Sequence, residues 1–370
     1  MRILILANND SGLYKFRKEL IEALLSLKHE VYISLPQGEF IDRLLDMGCH
    51  FIETKISRHG VNPITDLLLY RKYKSMMKEI KPDIVFTYTI KPNVYGGMAC
   101  QARKVPYLAN VTGLGVAIQN GGILQKISLT LYKMGMKGAK HVFFQNSENQ
   151  RFMVEKGIVT SPTTVLPGSG VNLDHFTFAD YPSEENGIHF LFVGRIMKDK
   201  GIDELLEAAR LIKGIYSNVV FDVVGGYDGP YESVIKKAQS DGLIQYHGNQ
   251  DDVRPFYHAS HCIVLPSYHE GMSNVLLEGA ATGRPLIATD IPGCSEIIDD
   301  GMNGFLCEVK NEQSLYSALI KMIQLSHDTR MKMGMNGRKI VEKKFNRSII
   351  IDRYLEAMQD IGALEQINIK

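Results

Sequence analysis

The chain has 370 residues, of which 45% are hydrophobic and 22% charged, and a net charge of +1. Those values argue against a disordered or fibrous chain and suit two globular domains. The five cysteines (Cys49, Cys100, Cys262, Cys294, Cys307) are scattered without a Cys-x-x-Cys pair, so neither a disulfide framework nor a zinc site is expected.

In chain order, Ile3–Ala7 reads as a first strand, too short for a signal-peptide core. Further strands are expected at Glu30–Leu35, His50–Glu53, Ile84–Tyr88, Tyr107–Val111 and His141–Gln145. Helical patterns lie between them at Leu13–Leu27, Glu39–Met47 and Ile64–Ile80. Pro167 to Asn186 is rich in loop residues and marks the expected domain boundary. The alternation then resumes, with strands at Phe190–Val193, Val219–Val224, Ile244–His247, Cys262–Leu265 and Leu286–Ala288. Strand–helix alternation of this kind predicts parallel sheets with right-handed crossovers, an α/β fold of two doubly wound domains. No run of about 18 apolar residues occurs, so no membrane-spanning helix is expected.

The charge is unevenly divided. Residues 1–165 hold 22 Lys and Arg against 13 Asp and Glu, a net of +9; the remainder holds 20 against 28, a net of −8. A basic first half implies an anionic partner. Two stretches concentrate the excess. Residues 71–81 read as a core-facing helix with a solvated basic face. Residues 123–140, carrying Lys126, Lys133, Lys137 and Lys140 among apolar residues, read as a segment for an anionic membrane surface. No nucleic-acid motif or aromatic–basic interleaving is present, so nucleic acid is not the expected partner.

Two motifs in the second half carry chemistry. The strand-like run Ile188–Val193 ends in Gly194-Arg195, and Lys200-Gly201 follows ahead of the helix-like run 202–210. Two cations at a strand edge can neutralise a diphosphate without a metal. The strand-like run 262–266 leads into Glu270-Gly-Met-Ser-Asn-Val-Leu-Leu-Glu278, in which Gly271 frees the turn and Ser273 or Asn274 can cap a helix. One carboxylate then stands at a strand's C-terminal edge and the other about one turn into the next helix. A helix N-terminus between them suits a phosphate, and the carboxylates suit hydroxyls. A nucleotide sugar has those groups. Neither Gly-x-Gly-x-x-Gly after a strand nor Asp-x-Asp occurs, and the histidines, of which His258 and His261 stand nearest, lack ligand spacing. No cofactor and no metal are expected.

Gly194-Arg195, Lys200-Gly201 and the Glu270–Glu278 segment resemble the C-terminal half of the retaining GT-B glycosyltransferases of family four, the group 1 glycosyl transferases. The likeness extends through Val165–Phe176 and Gly301–Leu306, and in the first half through Ser57-Arg58, Asn62-Pro63, Thr87–Gly96 and Val111–Gly115. These first-half matches are similar to the bacterial polysaccharide and lipid-linked glycan assembly branch. The resemblance implies two Rossmann-like domains facing a cleft. One, 1–166 with about 350–370, would bind the acceptor; the other, 167–349, would bind the nucleotide sugar. A final helix near 349–361 would cross back onto the first.

It further implies transfer of a sugar, an N-acetylhexosamine such as GalNAc or GlcNAc, from a UDP-sugar to an undecaprenyl-diphosphate-linked saccharide, in a cytoplasmic protein peripheral to the inner membrane face. Glu270, Arg195 and Lys200 would be catalytic. Glu278 would hold the ribose, Gly271, Met272, Ser273 and Asn274 the diphosphate, and Asn249 to Val253 would border the nucleobase. Gly12, in the loop after the first strand, would let backbone approach the diphosphate, and Arg58 and Lys91 would contact the acceptor diphosphate. Many relatives place a histidine after the fifth strand; Asn110–Gly115 contains none, so no histidine base is assigned. The alternative is a non-catalytic nucleotide-sugar-binding subunit of a polysaccharide assembly complex. An epimerase on the same fold is disfavoured by the first-half motifs.

Overall fold

The computed structural model describes residues 1–57, 62–114 and 122–362. The chain forms two compact units, Met1–Ser169 with Ile349–Lys370, and Gly170–Ser348. Each is built on a parallel sheet whose central strands are buried on both faces, as sheets covered on both sides require.

In the first unit the strands are β1 (Arg2–Leu6), β2 (Glu30–Leu35), β3 (His50–Glu53), β4 (Ile84–Tyr88), β5 (Tyr107–Val111), β6 (His141–Phe144) and β7 (Thr163–Val165). They lie side by side in the order β3-β2-β1-β4-β5-β6-β7. Alternate residues feed two separate cores. Ile84, Phe86 and Tyr88 face one, with Leu13, Leu20 and Leu24 from the helix Asp10–Ser26 and Tyr354, Ala357 and Met358 from the helix Arg347–Asp360. Val85 faces the other, with Tyr73 and Met77 from the helix Pro63–Ile80.

The second unit holds β8 (Ile188–Val193), β9 (Val219–Val224), β10 (Gln245–Tyr246), β11 (Cys262–Leu265), β12 (Leu286–Thr289) and β13 (Gly304–Cys307), in the order β10-β9-β8-β11-β12-β13. Phe190, Leu191, Phe192 and Phe221 are almost wholly buried in its core, each side chain contributing roughly 1.5–3 kcal/mol of burial. Both sheets therefore reverse direction beside their first strand, between β1 and β4 and between β8 and β11. Such reversal points are where open α/β sheets bind ligands, outside the C-terminal strand ends.

The sequence reading missed β7 and β13. Both are short edge strands, Thr163–Val165 and Gly304–Cys307, and their pattern is weak until a neighbouring strand pairs with them. Gly12 is also placed differently from the expected loop. It lies in the first turn of the helix Asp10–Ser26, whose N-cap Asn9 accepts its N–H at 2.5 Å. Asn9 is an N-cap residue by type, and its capping starts the helix three residues before the apolar pattern does. All five cysteines are buried and unpaired.

Candidate active site

In the second unit, the segments after β8, β9, β10 and β11 emerge at one sheet edge because all four strands run parallel. Backbone hydrogen bonds stitch them together. Gly194 N–H donates to Val224 O at 2.9 Å, Ile196 N–H to Gly226 O at 2.8 Å, and Gly225 N–H to Gly248 O at 2.8 Å. Gly225 has φ +145°, and a Cβ there would fall 1.8 Å from Gly194 O, so only glycine fits this crossing. The stitching fixes Arg195, whose guanidinium pairs with Asp228 in an exposed position.

Lys200 closes a short 3₁₀ turn, Lys198–Lys200, ahead of the helix Ile202–Lys213. That turn is docked on the segment after β11: Tyr268 N–H donates to Asp199 O at 2.8 Å, and Ser267 Oγ to the same carbonyl at 3.2 Å. Gly201 follows at φ +71°, and a Cβ on it would stand 2.0 Å from Pro266 O. Gly201→Ala is expected to lower the melting temperature of the protein by several degrees, since left-handed strain adds to a backbone clash at a cost of a few kcal/mol. A melting curve matching the wild type would show that the turn relaxes without cost.

Docked this way, Lys200 Nζ reaches Glu270 Oε1 at 2.5 Å, with side chains only 21% and 13% exposed. The structure thus brings together two residues 70 positions apart that the sequence reading selected separately. The helix Asn274–Ala281 begins just beyond, and Ser273 caps it, its Oγ accepting from Leu276 N–H at 3.3 Å. Gly293 holds the cap in place by accepting the Ser273 N–H at 2.9 Å. The first-turn N–H groups of this helix precede its own hydrogen-bond ladder and present the positive end of its dipole. Met272 is buried in the core, so its side chain packs and only its backbone can serve a ligand. Gly271 stands between Glu270 and this turn.

Glu278 lies in the second turn of the same helix and is half-buried. Its Oε2 accepts the hydroxyl of buried Tyr257 at 2.9 Å, a contact that holds one oxygen and orients the other. Burial, reinforced by the Glu278 charge, pushes the Tyr257 phenol well above its ordinary range, so it remains a donor. Asn249 is exposed, and Val253 packs at the edge of the core at the start of the helix Arg254–Ala259. Beside it, the Arg254 guanidinium holds Asp252 down to about 2.

Three supporting residues escaped the sequence reading: Tyr257, Asp228 and Gly293. None belongs to a motif with its own spacing; each is defined by what the fold brings to it. Of the histidines, His261 is buried, and burial lowers it to about 4. His189 and His247 both bond Asp222, each at 2.7 Å.

In the first unit, Lys91 Nζ bonds Asp66 Oδ1 at 2.8 Å, and Tyr95 OH bonds Asp66 Oδ2 at 2.9 Å. The Lys91 charge is therefore already matched by a buried carboxylate. Arg58 lies outside the described residues. Among the described residues, no helix is long and apolar enough to cross a membrane.

This fold and edge define a two-domain GT-B glycosyltransferase architecture. Residues 187–325 match the model for glycosyl transferases group 1, and residues 2–146 match that for glycosyl transferase 4-like domains. The chain belongs to this group 1 glycosyltransferase family. It is 28% identical to the N,N'-diacetylbacillosaminyl-diphospho-undecaprenol alpha-1,3-N-acetylgalactosaminyltransferase of Campylobacter jejuni, over 96% of this chain and 98% of that one. It is 26% identical to the capsular polysaccharide biosynthesis glycosyltransferase CapM of Staphylococcus aureus, over 91% of each. Among solved structures, Anabaena HepE in complex with UDP and glucose superposes with a TM-score of 0.79 at 17% identity, covering 97% of this chain and 100% of that one.

Proposed function

We propose that this glycosyltransferase moves an N-acetylhexosamine from a UDP-sugar to an undecaprenyl-diphosphate-linked saccharide with retention, in the assembly of a capsule, O-antigen or related glycan. The observation that carries the reading is the Lys200–Glu270 pair at the reversal point of the second sheet, beside a capped helix N-terminus. The names of the relatives from Campylobacter and Staphylococcus support the acceptor class and the pathway.

In this reading the bond between the sugar C1 and the β-phosphate oxygen breaks, and its electron pair stays on the phosphate. Lys200, Arg195 and the helix dipole after Ser273 stabilise that developing charge. Glu270 holds hydroxyls of the sugar, Glu278 the ribose, and the segment from Asn249 to Val253 the base. The acceptor hydroxyl attacks C1 on the same face and passes its proton to the departing phosphate oxygen. The first unit takes the acceptor and the second the donor.

A screen of UDP-, GDP- and ADP-sugars with a lipid-linked acceptor fraction tests this. Nucleoside diphosphate release with one UDP-sugar, dependent on the lipid fraction, is the expected result. Thermal stabilisation by a donor without release under any condition would favour a non-catalytic binder. Because cationic side chains supply the charge a metal would otherwise bring, we expect the rate to survive EDTA; abolition by EDTA with rescue by Mg²⁺ would contradict this.

Membrane contact is proposed for the first unit. The helix Pro63–Ile80 is more apolar on its outside than its sequence suggests. It buries Leu69, Tyr73, Met76 and Met77, yet exposes Ile64, Leu67 and Leu68 beside exposed Arg71 and Lys72. Spacings of 3 and 4 put these five on one face. The helix Gly122–Met136 adds exposed Ile127 and Met134 near Lys126, Lys133 and Lys137. Each cation near an anionic surface is worth roughly 1 kcal/mol. We expect L67S/L68S and K133E/K137E each to weaken partitioning onto vesicles containing anionic lipid. Unchanged partitioning of both variants would remove these faces from the membrane contact.

A further inference from the structure

The first unit contains a buried cation that its own groups do not neutralise. Arg17, on the helix Asp10–Ser26, is 6% exposed. One of its Nη atoms donates to Phe16 O at 2.7 Å, while its buried Nε–H has no hydrogen-bond partner. Its guanidinium lies 5.1 Å from the centre of the Tyr88 ring. The Tyr88 hydroxyl is likewise buried without a partner, as is Oγ1 of Thr89. Thr89 stands at φ +71°, a left-handed conformation that costs a β-branched residue of order 1–3 kcal/mol and clusters at functional sites.

These residues share a location with a meaning. Tyr88 ends β4, and β4 lies next to β1, which leads into the helix bearing Arg17, so the group occupies the reversal point of the first sheet. On the same sheet face, Asn110 is fixed from both sides: Tyr354 OH donates to its Oδ1, and its Nδ2 donates to Thr87 O at 3.2 Å. Arg17, Asn110, Thr112, Gln145 and Tyr354 line a cavity of about 10 Å³, the space of one water-sized group. No carboxylate lines it, and among the described residues Arg17 has no acidic partner. Burial keeps Tyr88 a neutral hydroxyl donor, raising it well above the ordinary phenol range. Buried donors around an unmatched cation call for an anionic acceptor.

We propose that Arg17, with Tyr88 packed against its guanidinium, provides a phosphoryl subsite of the acceptor-binding unit, in which one oxygen of the acceptor's diphosphate enters the cavity that Arg17 lines while the rest lies at its mouth. This rests on the lipid-linked acceptor of the proposed function and assigns the diphosphate contact to Arg17, since the Lys91 charge is matched by Asp66. The same oxygen chemistry is offered by inorganic diphosphate, which serves as the probe.

The experiment titrates inorganic diphosphate calorimetrically into the full-length protein with UDP in excess to fill the donor site. It then measures inhibition against each substrate. Wild type is expected to bind, with inhibition competitive toward the lipid-linked acceptor and not toward the UDP-sugar. Arg17→Gln should weaken binding by about tenfold or more and Tyr88→Phe by a smaller factor, as charge-assisted and neutral hydrogen bonds differ. Should Arg17→Gln fail to fold, Tyr88→Phe carries the test. Unchanged affinity in a folded Arg17→Gln protein, or no binding by wild type under excess UDP, overturns the subsite. Turnover on a lipid-linked acceptor with those results would leave the proposed function standing. Arg17-dependent diphosphate binding without any lipid-linked turnover would keep the subsite and remove its assigned ligand.

Discussion

Glu270→Ala is expected to reduce kcat by about 10²–10³-fold, the range found when one preorganised group at a developing charge is removed. The fold should persist, because Glu270 sits in a turn after β11 rather than in the core, and the capped helix Asn274–Ala281 is anchored by Ser273 and Gly293. If Glu270 binds the transferred sugar, affinity for UDP alone should stay near wild type while turnover of the UDP-sugar collapses. Glu270→Gln should keep part of the hydroxyl contact and lose the charge, giving an intermediate rate. Steady-state kinetics with paired UDP titrations separate these cases. A folded Glu270→Ala enzyme turning over near the wild-type rate would take Glu270 out of the mechanism.

The central strands were legible because buried parallel strands read as continuous apolar runs, such as Ile188–Val193 and Ile84–Tyr88, bounded by turn residues, whereas their order in the sheets, and with it the reversal points, comes from the fold. Glu270 and Glu278 were legible for a local reason: strand, glycine turn and capped helix follow one another without interruption. What could not be read were contacts made by folding. Tyr257 meets Glu278 from 21 residues away, and Arg17 meets Tyr88 from the far side of a strand crossing. A cation in the sequence also does not declare its partner. Lys91 and Arg17 are both basic residues of the first unit; the fold gives Asp66 to one and no carboxylate, among the described residues, to the other. The apolar face Ile64, Leu67 and Leu68 was obscured because it shares its helix with a core-facing stripe, Leu69, Tyr73, Met76 and Met77, on the opposite side, and sequence periodicity does not say which apolar stripe is covered.

Lys200→Ala is expected to have the second large effect, and its form discriminates between roles for the two cations. Lys200 is mostly buried and bonded to Glu270, whereas Arg195 is exposed and paired with Asp228. In the proposed mechanism, Lys200→Ala takes a preorganised cation from the leaving phosphate and takes from Glu270 the group that holds it, so kcat should fall by about 10²-fold or more. Arg195→Ala should cost less, since an exposed guanidinium has water to replace part of its interaction and a flexible stem to order. The pair Lys200 and Glu270 acts as one unit in this geometry, so the double variant K200A/E270A should be little slower than either single variant. Thermal stability should move in the same pattern: each single variant leaves a poorly solvated charge without its partner, and removing both relieves that penalty. Additive losses in both rate and stability would mean that the 2.5 Å contact between Lys200 and Glu270 carries no coupling, and that each residue meets the substrate on its own.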